Sequence, residues 1–86
     1  MAQPAKFIID YRGALKVEAN KTYTSEDIPD DMDVLELRSN EKVSVAINGT
    51  VAFPLEKGML NYINPDSSYT FTENCIVAYG VIVDIS

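Results

Sequence analysis

The sequence predicts an all-β protein: a compact antiparallel sandwich or barrel, jelly-roll-like or immunoglobulin-like, with about eight short strands. Three observations lead to this prediction. Segments rich in β-branched and aromatic residues recur along the whole chain. Turn residues separate these segments about every eight to twelve positions, which is the strand spacing of sandwiches and barrels. No long stretch of the sequence has the apolar period of a helix.

The chain has the size and composition of one small globular domain. It has 86 residues, of which 47% are hydrophobic and 23% are charged. This length is close to the lower limit at which a hydrophobic core alone stabilises a fold. Because Pro4 is unsuited to a central strand, we expect residues 1–5 to form a flexible N-terminal tail or a docking arm. Residues 6–86 are expected to form a single β domain.

Two strands are predicted at the start of this domain. Residues 6–11 are rich in β-branched and aromatic side chains, and residues 14–19 alternate between apolar and polar ones. The alternation predicts that the second strand has one exposed face. Arg12 and Gly13 lie between the two segments and are expected to form a turn.

Residues 20–33 are predicted to form a loop that carries the one local concentration of like charge. Ser25 is expected to cap a single helical turn, which Pro29 then interrupts. The ligand spacing of a calcium-binding EF-hand does not occur in it, so we expect a solvated loop. A cation or a basic surface of a partner remains the alternative ligand. The acidic residues of the loop are Glu26, Asp27, Asp30, Asp31 and Asp33.

The strongest local signal predicts a β-hairpin over residues 43–53. Asn48 and Gly49 are the pair that a type I′ turn prefers, because both central residues of that turn need a positive φ. A two-residue turn also defines the register, which places Val45 opposite Ala52. Both faces of the hairpin carry apolar side chains.

The remaining strands are predicted from short apolar or alternating segments. The last of them is apolar on both faces, since Asp84 is its single clearly polar residue. Such a strand needs cover on both sides, so we expect it to lie at the centre of the fold. The predicted strands are residues 34–39, 59–63, 69–72 and 75–85.

Charge and composition argue against several classes of function. The formal net charge is −6 and the pI is about 4.3, which disfavours binding to nucleic acids and anionic membranes. The sequence has no histidine, which removes the common zinc sites and the Ser-His and Cys-His nucleophiles. Cys75 lies in an apolar segment and is expected to be a buried hydrophobic residue. We therefore expect no enzymatic activity, no cofactor and no metal.

No segment predicts export or membrane insertion. The apolar cluster from Phe7 to Ile9 ends at Asp10 and is too short for a signal peptide. The longest apolar segment, residues 75–83, is about half of a membrane span. A soluble protein without a cleaved leader is expected.

Residues 55–71 resemble the second half of a cupin repeat, in which a glycine, a proline and a downstream histidine punctuate two strands. Gly58 and Pro65 carry the resemblance, together with the strand residues around Tyr62 and from Tyr69 to Phe71. The proline is displaced by one position, and no histidine is present. The resemblance implies jelly-roll-like strand geometry and does not imply cupin catalysis.

The chain is short, acidic and without catalytic groups, and its predicted hairpin and last strand are apolar on both faces. In these properties the chain as a whole is similar in type to the decoration, cement and head-fibre-base proteins of tailed bacteriophages. The resemblance implies a homo-oligomer, with a trimer favoured, that docks on the major capsid protein and reinforces the shell. The implied location is the virion surface, after assembly in the host cytoplasm.

Two functions therefore compete. The first is a non-enzymatic structural or assembly protein that oligomerises and docks through apolar strand surfaces. The alternative is a small acidic binding module or inhibitor, cytoplasmic, whose loop at residues 26–33 engages a basic partner. The sequence does not distinguish the core face of the hairpin from a docking face. The candidate interface residues are Val43, Val45, Ile47, Val51, Phe53, Tyr79 and Val81.

Overall fold

The computed structural model describes residues 6–85, so the tail expected at residues 1–5 lies outside the described residues. The chain forms two antiparallel four-stranded sheets, which confirms the prediction of an all-β sandwich. Within residues 6–85, no helix is long and apolar enough to cross a membrane. The strands are β1 (Phe7–Val17), β2 (Thr22–Tyr23), β3 (Val34–Leu37), β4 (Val43–Ile47), β5 (Phe53–Leu55), β6 (Leu60–Tyr62), β7 (Tyr69–Phe71) and β8 (Cys75–Asp84).

The strand order is that of a jelly roll. One sheet, called here the long sheet, has the order β1-β8-β3-β6, and the other, the short sheet, has the order β2-β7-β4-β5. The first strand thus pairs with the last, the second with the seventh, the third with the sixth and the fourth with the fifth. This is the pattern of one long hairpin rolled up on itself. An immunoglobulin domain divides its strands differently, as ABED and CFG.

The core lies between the two sheets. Phe71 of β7 and Val77 of β8 have no exposed surface, and the ring of Tyr23 meets that of Phe71 edge to face at a centroid distance of 6.2 Å. β8 pairs with β1 on one side and with β3 on the other. It is therefore a central strand, as its apolar faces predict.

The first strand differs from the prediction, because Arg12 and Gly13 do not form a turn. β1 runs without reversal through both predicted segments, and both halves pair with β8. The extra residue forms a β-bulge at Arg12, since Tyr11 lies opposite Gly80 and Gly13 opposite Tyr79. A Cβ on Gly13 would lie 2.5 Å from the Tyr79 hydroxyl oxygen, so the glycine lets the tyrosine ring cover the bulge.

The loop of residues 20–33, called here the acidic loop, contains a short strand and one helical turn. Strand β2 escapes prediction because a segment of two residues has no periodic pattern. The helical turn is present as predicted, since the Ile28 N–H donates to the Thr24 carbonyl oxygen at 2.9 Å. Thr24, and not Ser25, caps it. The Thr24 hydroxyl accepts from the Glu26 N–H at 3.3 Å, and the Thr24 N–H donates to the Asp27 carboxylate at 3.1 Å.

The hairpin formed by β4 and β5 has the predicted turn and a different register. Asn48 and Gly49 have φ angles of 54° and 74°, as a type I′ turn requires. Beyond the turn, Val45 lies opposite Phe53 and not opposite Ala52. The loop is longer than two residues because β5 begins only at Phe53. A shift of one residue exchanges the faces of a strand, so Phe53 shares the inner face with Val45.

Candidate functional site

A two-stranded ribbon extends from one end of the sandwich. β3 pairs with β8 only from Leu37 at Val77 to Val34 at Gly80, so residues 81–84 pair with residues 7–10 and with no third strand among residues 6–85. The short sheet has strands of two to five residues, which cannot cover strands of ten and eleven. We call residues 7–10 and 81–84 the terminal ribbon. The molecule is elongated, with dimensions of 46 × 25 × 22 Å.

Both faces of the terminal ribbon carry exposed apolar side chains. Ile8 lies opposite Val83, and Ile9 lies opposite Ile82, while successive residues alternate between the two faces. Ile8 is 50% exposed on one face, and Phe7 is 53% exposed on the other. A two-stranded ribbon is at best marginally stable in water. The ribbon is therefore a surface that further protein is expected to cover.

The two edges of the terminal ribbon differ. On the β8 side, the Ile82 N–H donates to the Asp33 carboxylate at 2.7 Å, and the Asp33 N–H donates to the Gly80 carbonyl oxygen at 2.8 Å. β3 ends its pairing with β8 at Gly80, and the Asp33 side chain accepts the next hydrogen bond that a longer β3 would have made. On the other side, β1 is the last strand of the long sheet. That edge faces no strand in the described part of the chain.

A polar cluster fastens the root of the ribbon to β3. The Tyr11 hydroxyl donates to Glu36 Oε2, and Arg38 Nη1 donates to Glu36 Oε1 at 2.8 Å. The Arg38 guanidinium lies 5.0 Å from the centroid of the Tyr11 ring. The hydrogen bond to Glu36, followed by desolvation, raises the pKa of Tyr11. These paired groups hold β1 against β3 across β8, which is a positioning role rather than acid–base chemistry.

The hairpin residues predicted to form an interface divide between the core and the surface. Val43 and Val45 are buried between the sheets, so the expectation that they lie on a docking surface is corrected. Ile47 is partly buried and packs against the core. Val51 is 91% exposed and Phe53 is 39% exposed. The Phe53 side chain is on the inner face of the short sheet. It is nevertheless partly exposed because β5 is the edge strand of that sheet.

The two β8 residues predicted to form an interface also divide. Tyr79 packs against the core, whereas Val81 lies in the terminal ribbon. Sequence reasoning missed the exposed positions beside Val81, namely Ile82 and Val83. The signal for them was the difference in predicted length between the last strand and the strands of the hairpin, because a sheet of short strands cannot cover a long one.

The acidic loop is engaged within the molecule. Asp27 accepts from Thr24, Asp33 accepts from Ile82, and Asp30 accepts from the Asp66 N–H at 3.2 Å. These three carboxylates therefore hold the loop to itself and to its neighbours. In the described chain, no three acidic, histidine or cysteine side chains are grouped so that they could hold a metal ion.

An open groove of about 410 Å³ lies where β1 ends and β8 begins. Cys75 lines it together with mostly polar residues, among them Lys16, Glu18 and Asn74. Burial raises the pKa of the Cys75 thiol to about 11, with a further contribution from the charge of Glu41. The thiol is therefore protonated at neutral pH, and the groove offers no activated nucleophile.

Comparison of the chain with protein-family models, with curated proteins and with solved structures found no match. The fold and its exposed surfaces are therefore the basis for a functional proposal. Among the described surfaces, the terminal ribbon is the one where an unusual strand geometry and exposed apolar side chains coincide.

Proposed function

We propose that the protein is a non-enzymatic structural subunit that self-associates through the terminal ribbon. One observation carries the proposal: residues 7–10 and 81–84 form a two-stranded extension with exposed apolar side chains on both faces. Core strands of this composition are covered by a second layer. In the ribbon, a neighbouring subunit supplies the missing apolar contacts.

Covering the ribbon removes apolar surface from water and therefore favours association. Complete burial of a Phe or Ile side chain contributes about 1.5–3 kcal/mol. Phe7 and Ile8 keep about half of their surface exposed, so covering these two contributes about 2 kcal/mol per subunit. The net charge of −6 opposes association at long range, and salt screens this repulsion. Assembly through the ribbon is therefore expected to persist or strengthen as salt is added.

The specific role that we propose is that of a virion accessory protein, a decoration or cement subunit that docks on the major capsid protein. The jelly-roll strand order supports it by analogy, because this architecture is common among viral capsid domains. The proposed state is a homo-oligomer, with a trimer expected from the resemblance to phage decoration proteins. The proposed location is the virion surface, after assembly in the host cytoplasm.

The alternative, an acidic module that engages a basic partner, has less support. Of the five carboxylates in the acidic loop, Asp27, Asp30 and Asp33 accept hydrogen bonds from the chain's own backbone. A loop that binds through charge would weaken steeply with ionic strength. Salt dependence of association therefore separates this alternative from apolar assembly.

The mass of the purified chain in solution tests self-association. Light scattering after gel filtration, over a range of concentrations and salt, is expected to give an oligomer. Ile82→Lys places a charge on the ribbon and is expected to reduce the mass to that of a monomer. Val51→Lys is the matched control, since Val51 is the most exposed apolar residue of the hairpin. A wild-type chain that is monomeric at every concentration contradicts the proposal.

The virion role needs a separate measurement. Particles assembled from the genome that encodes this chain are expected to contain it in many copies, in a fixed ratio to the major capsid protein. Quantitative mass spectrometry of purified particles measures that ratio. Self-association of the chain together with its absence from particles would retain the structural subunit and reject the virion role.

A further inference from the structure

We infer that two copies of the chain pair antiparallel along the free edge of β1, with Ile8 of each copy at the two-fold axis. In this register Lys6 of one copy lies opposite Asp10 of the other, and Phe7 lies opposite Ile9. The inference rests on the self-association proposed above and specifies a two-fold dimer, in place of the trimer that the phage resemblance implies. The two long sheets would join through β1 into one continuous sheet of eight strands.

The backbone groups available at this edge follow from the pairing of β1 with β8. The Ile85 N–H donates to the Lys6 carbonyl oxygen at 3.0 Å, so the backbone groups of Lys6 point towards β8. Because these groups alternate in direction along a strand, those of Phe7, Ile9 and Tyr11 point to the free edge. The Ile82 N–H, opposite Ile9, points away from β1 to Asp33, which agrees with this alternation.

These free groups restrict the register. Antiparallel partners must present outward-pointing groups to each other, so Phe7 and Ile9 of one copy pair with Phe7, Ile9 or Tyr11 of the other. Pairing Phe7 with Ile9 uses both residues of both copies and forms four hydrogen bonds around Ile8. The β-bulge at Arg12 ends the regular edge on one side.

Charge selects the same register. Lys6 and Asp10 are exposed and lie at equal distances in sequence from Ile8, so a two-fold axis at Ile8 forms two symmetric Lys–Asp pairs. A register centred on Ile9 would place Asp10 opposite Ile8, and one centred on Phe7 would place Lys6 opposite Ile8. Each alternative loses both ion pairs. Asp10 also lies 3.0 Å from Arg12 of its own chain at an exposed site, so it would sit between two cations.

The side chains are complementary in the same arrangement. Residues directly opposite in neighbouring strands share a face, so Phe7 and Ile9 of the two copies form one apolar cluster beside Ile82. On the other face, Ile8 meets its own copy beside Val83, flanked by the two ion pairs. On both faces of the terminal ribbon, the apolar side chains of one copy thus contact and partly cover those of the other.

A disulfide cross-link tests the pairing directly. Ile8→Cys places two thiols opposite each other at a non-hydrogen-bonded position, where Cα atoms are about 4.5 Å apart. Val83→Cys lies on the same face one strand further in, so its two copies are separated by three strand spacings, about 14 Å, which is too far for a disulfide. Under mild oxidation, Ile8→Cys is expected to form covalent dimers at least about tenfold faster than Val83→Cys. The native Cys75 is buried in both variants.

A charge exchange provides the second arm of the test. Lys6→Asp and Asp10→Lys each place like charges opposite each other and are expected to weaken the dimer about tenfold, whereas the double variant restores it. Equal cross-linking of the two cysteine variants overturns this register. A trimer in which Ile8→Cys does not cross-link also overturns the pairing and retains the structural function. A chain that is monomeric throughout overturns both.

Discussion

The hairpin of β4 and β5 and the terminal ribbon have the same kind of sequence but differ in how far their apolar side chains are buried. Both are pairs of neighbouring strands with apolar residues on both faces. In the hairpin, Val43, Val45 and Leu55 are buried between the sheets. In the ribbon, Phe7 and Ile8 remain about half exposed. An apolar sequence on both faces of a strand therefore does not distinguish a core element from a docking surface.

The difference between the two regions comes from strand length. The hairpin lies in the short sheet, and its inward-facing Val43, Val45 and Leu55 belong to the core between the sheets. The ribbon belongs to strands of ten and eleven residues, and a layer of strands with at most five residues covers only part of them. In the assembly that we propose, a second copy of the chain covers this part. We expect substitutions in the two regions to act on different properties, namely folding and association.

The largest effect is expected from a charge introduced into each region. Val45→Lys buries an unpaired ammonium group in the core and is expected to lower the free energy of unfolding by at least about 3 kcal/mol, enough to unfold much of the protein. Val83→Lys lies in the ribbon and is expected to lower it by about 1 kcal/mol or less. Urea denaturation followed by far-ultraviolet circular dichroism, at a concentration where the chain is monomeric, measures both. Similar losses for the two variants would mean that the ribbon is part of the cooperative core.

A smaller loss of stability is expected when one glycine in each region, Gly80 beside the ribbon or Gly49 in the hairpin turn, is replaced by alanine. A Cβ at Gly80 would lie 2.5 Å from the Asp10 carbonyl oxygen and 2.9 Å from the Tyr11 Cα, so Gly80→Ala must push β1 away from β8. It is expected to cost about 2 kcal/mol. Gly49 in the hairpin turn has a φ of 74° and no atom within 4 Å of its would-be Cβ, so Gly49→Ala is expected to cost about 1 kcal/mol through backbone strain alone.

Amide hydrogen exchange separates the two glycine substitutions by location. Gly80→Ala is expected to reduce protection at residues 6–11, whereas Gly49→Ala is expected to leave that segment unchanged. A loss of ribbon protection in both variants would show that the hairpin and the ribbon open together. In that case the stabilities of the hairpin and of the ribbon would not be independent.

The smallest effect concerns the buried end of β8, at the opposite end of the strand from the ribbon. Burial raises the pKa of Cys75 from its ordinary value of 9.0 to about 11. The unfolded thiol loses its proton first, so the stability contribution is complete below pH 9 and is lost as the pH rises towards about 11. We expect a loss of about 1 kcal/mol by pH 10. In Cys75→Ala this part of the pH dependence disappears, while the raised pKa values of Tyr11 and Tyr69 still act above pH 10.

Local sequence chemistry predicted several features of the fold and of the site. Asn48 and Gly49 specify their turn because few other residue pairs tolerate two positive φ angles. The apolar faces of β8 predicted an inner strand. The bulge at Arg12 was not predictable, because a glycine preceded by a charged residue is equally compatible with a turn. The structure has a bulge and not a turn because both halves of β1 pair with the same long strand, β8.

Residue types and short-range patterns specify the all-β class, the hairpin turn and the central position of β8. Each of these depends on residue type or on short-range periodicity. The folded arrangement of the two sheets sets which apolar strands are core, how β5 is registered on β4 and where β1 and β8 extend past their neighbours. Those features depend on the relative lengths and positions of strands that are distant in sequence, and no local pattern encodes that relation.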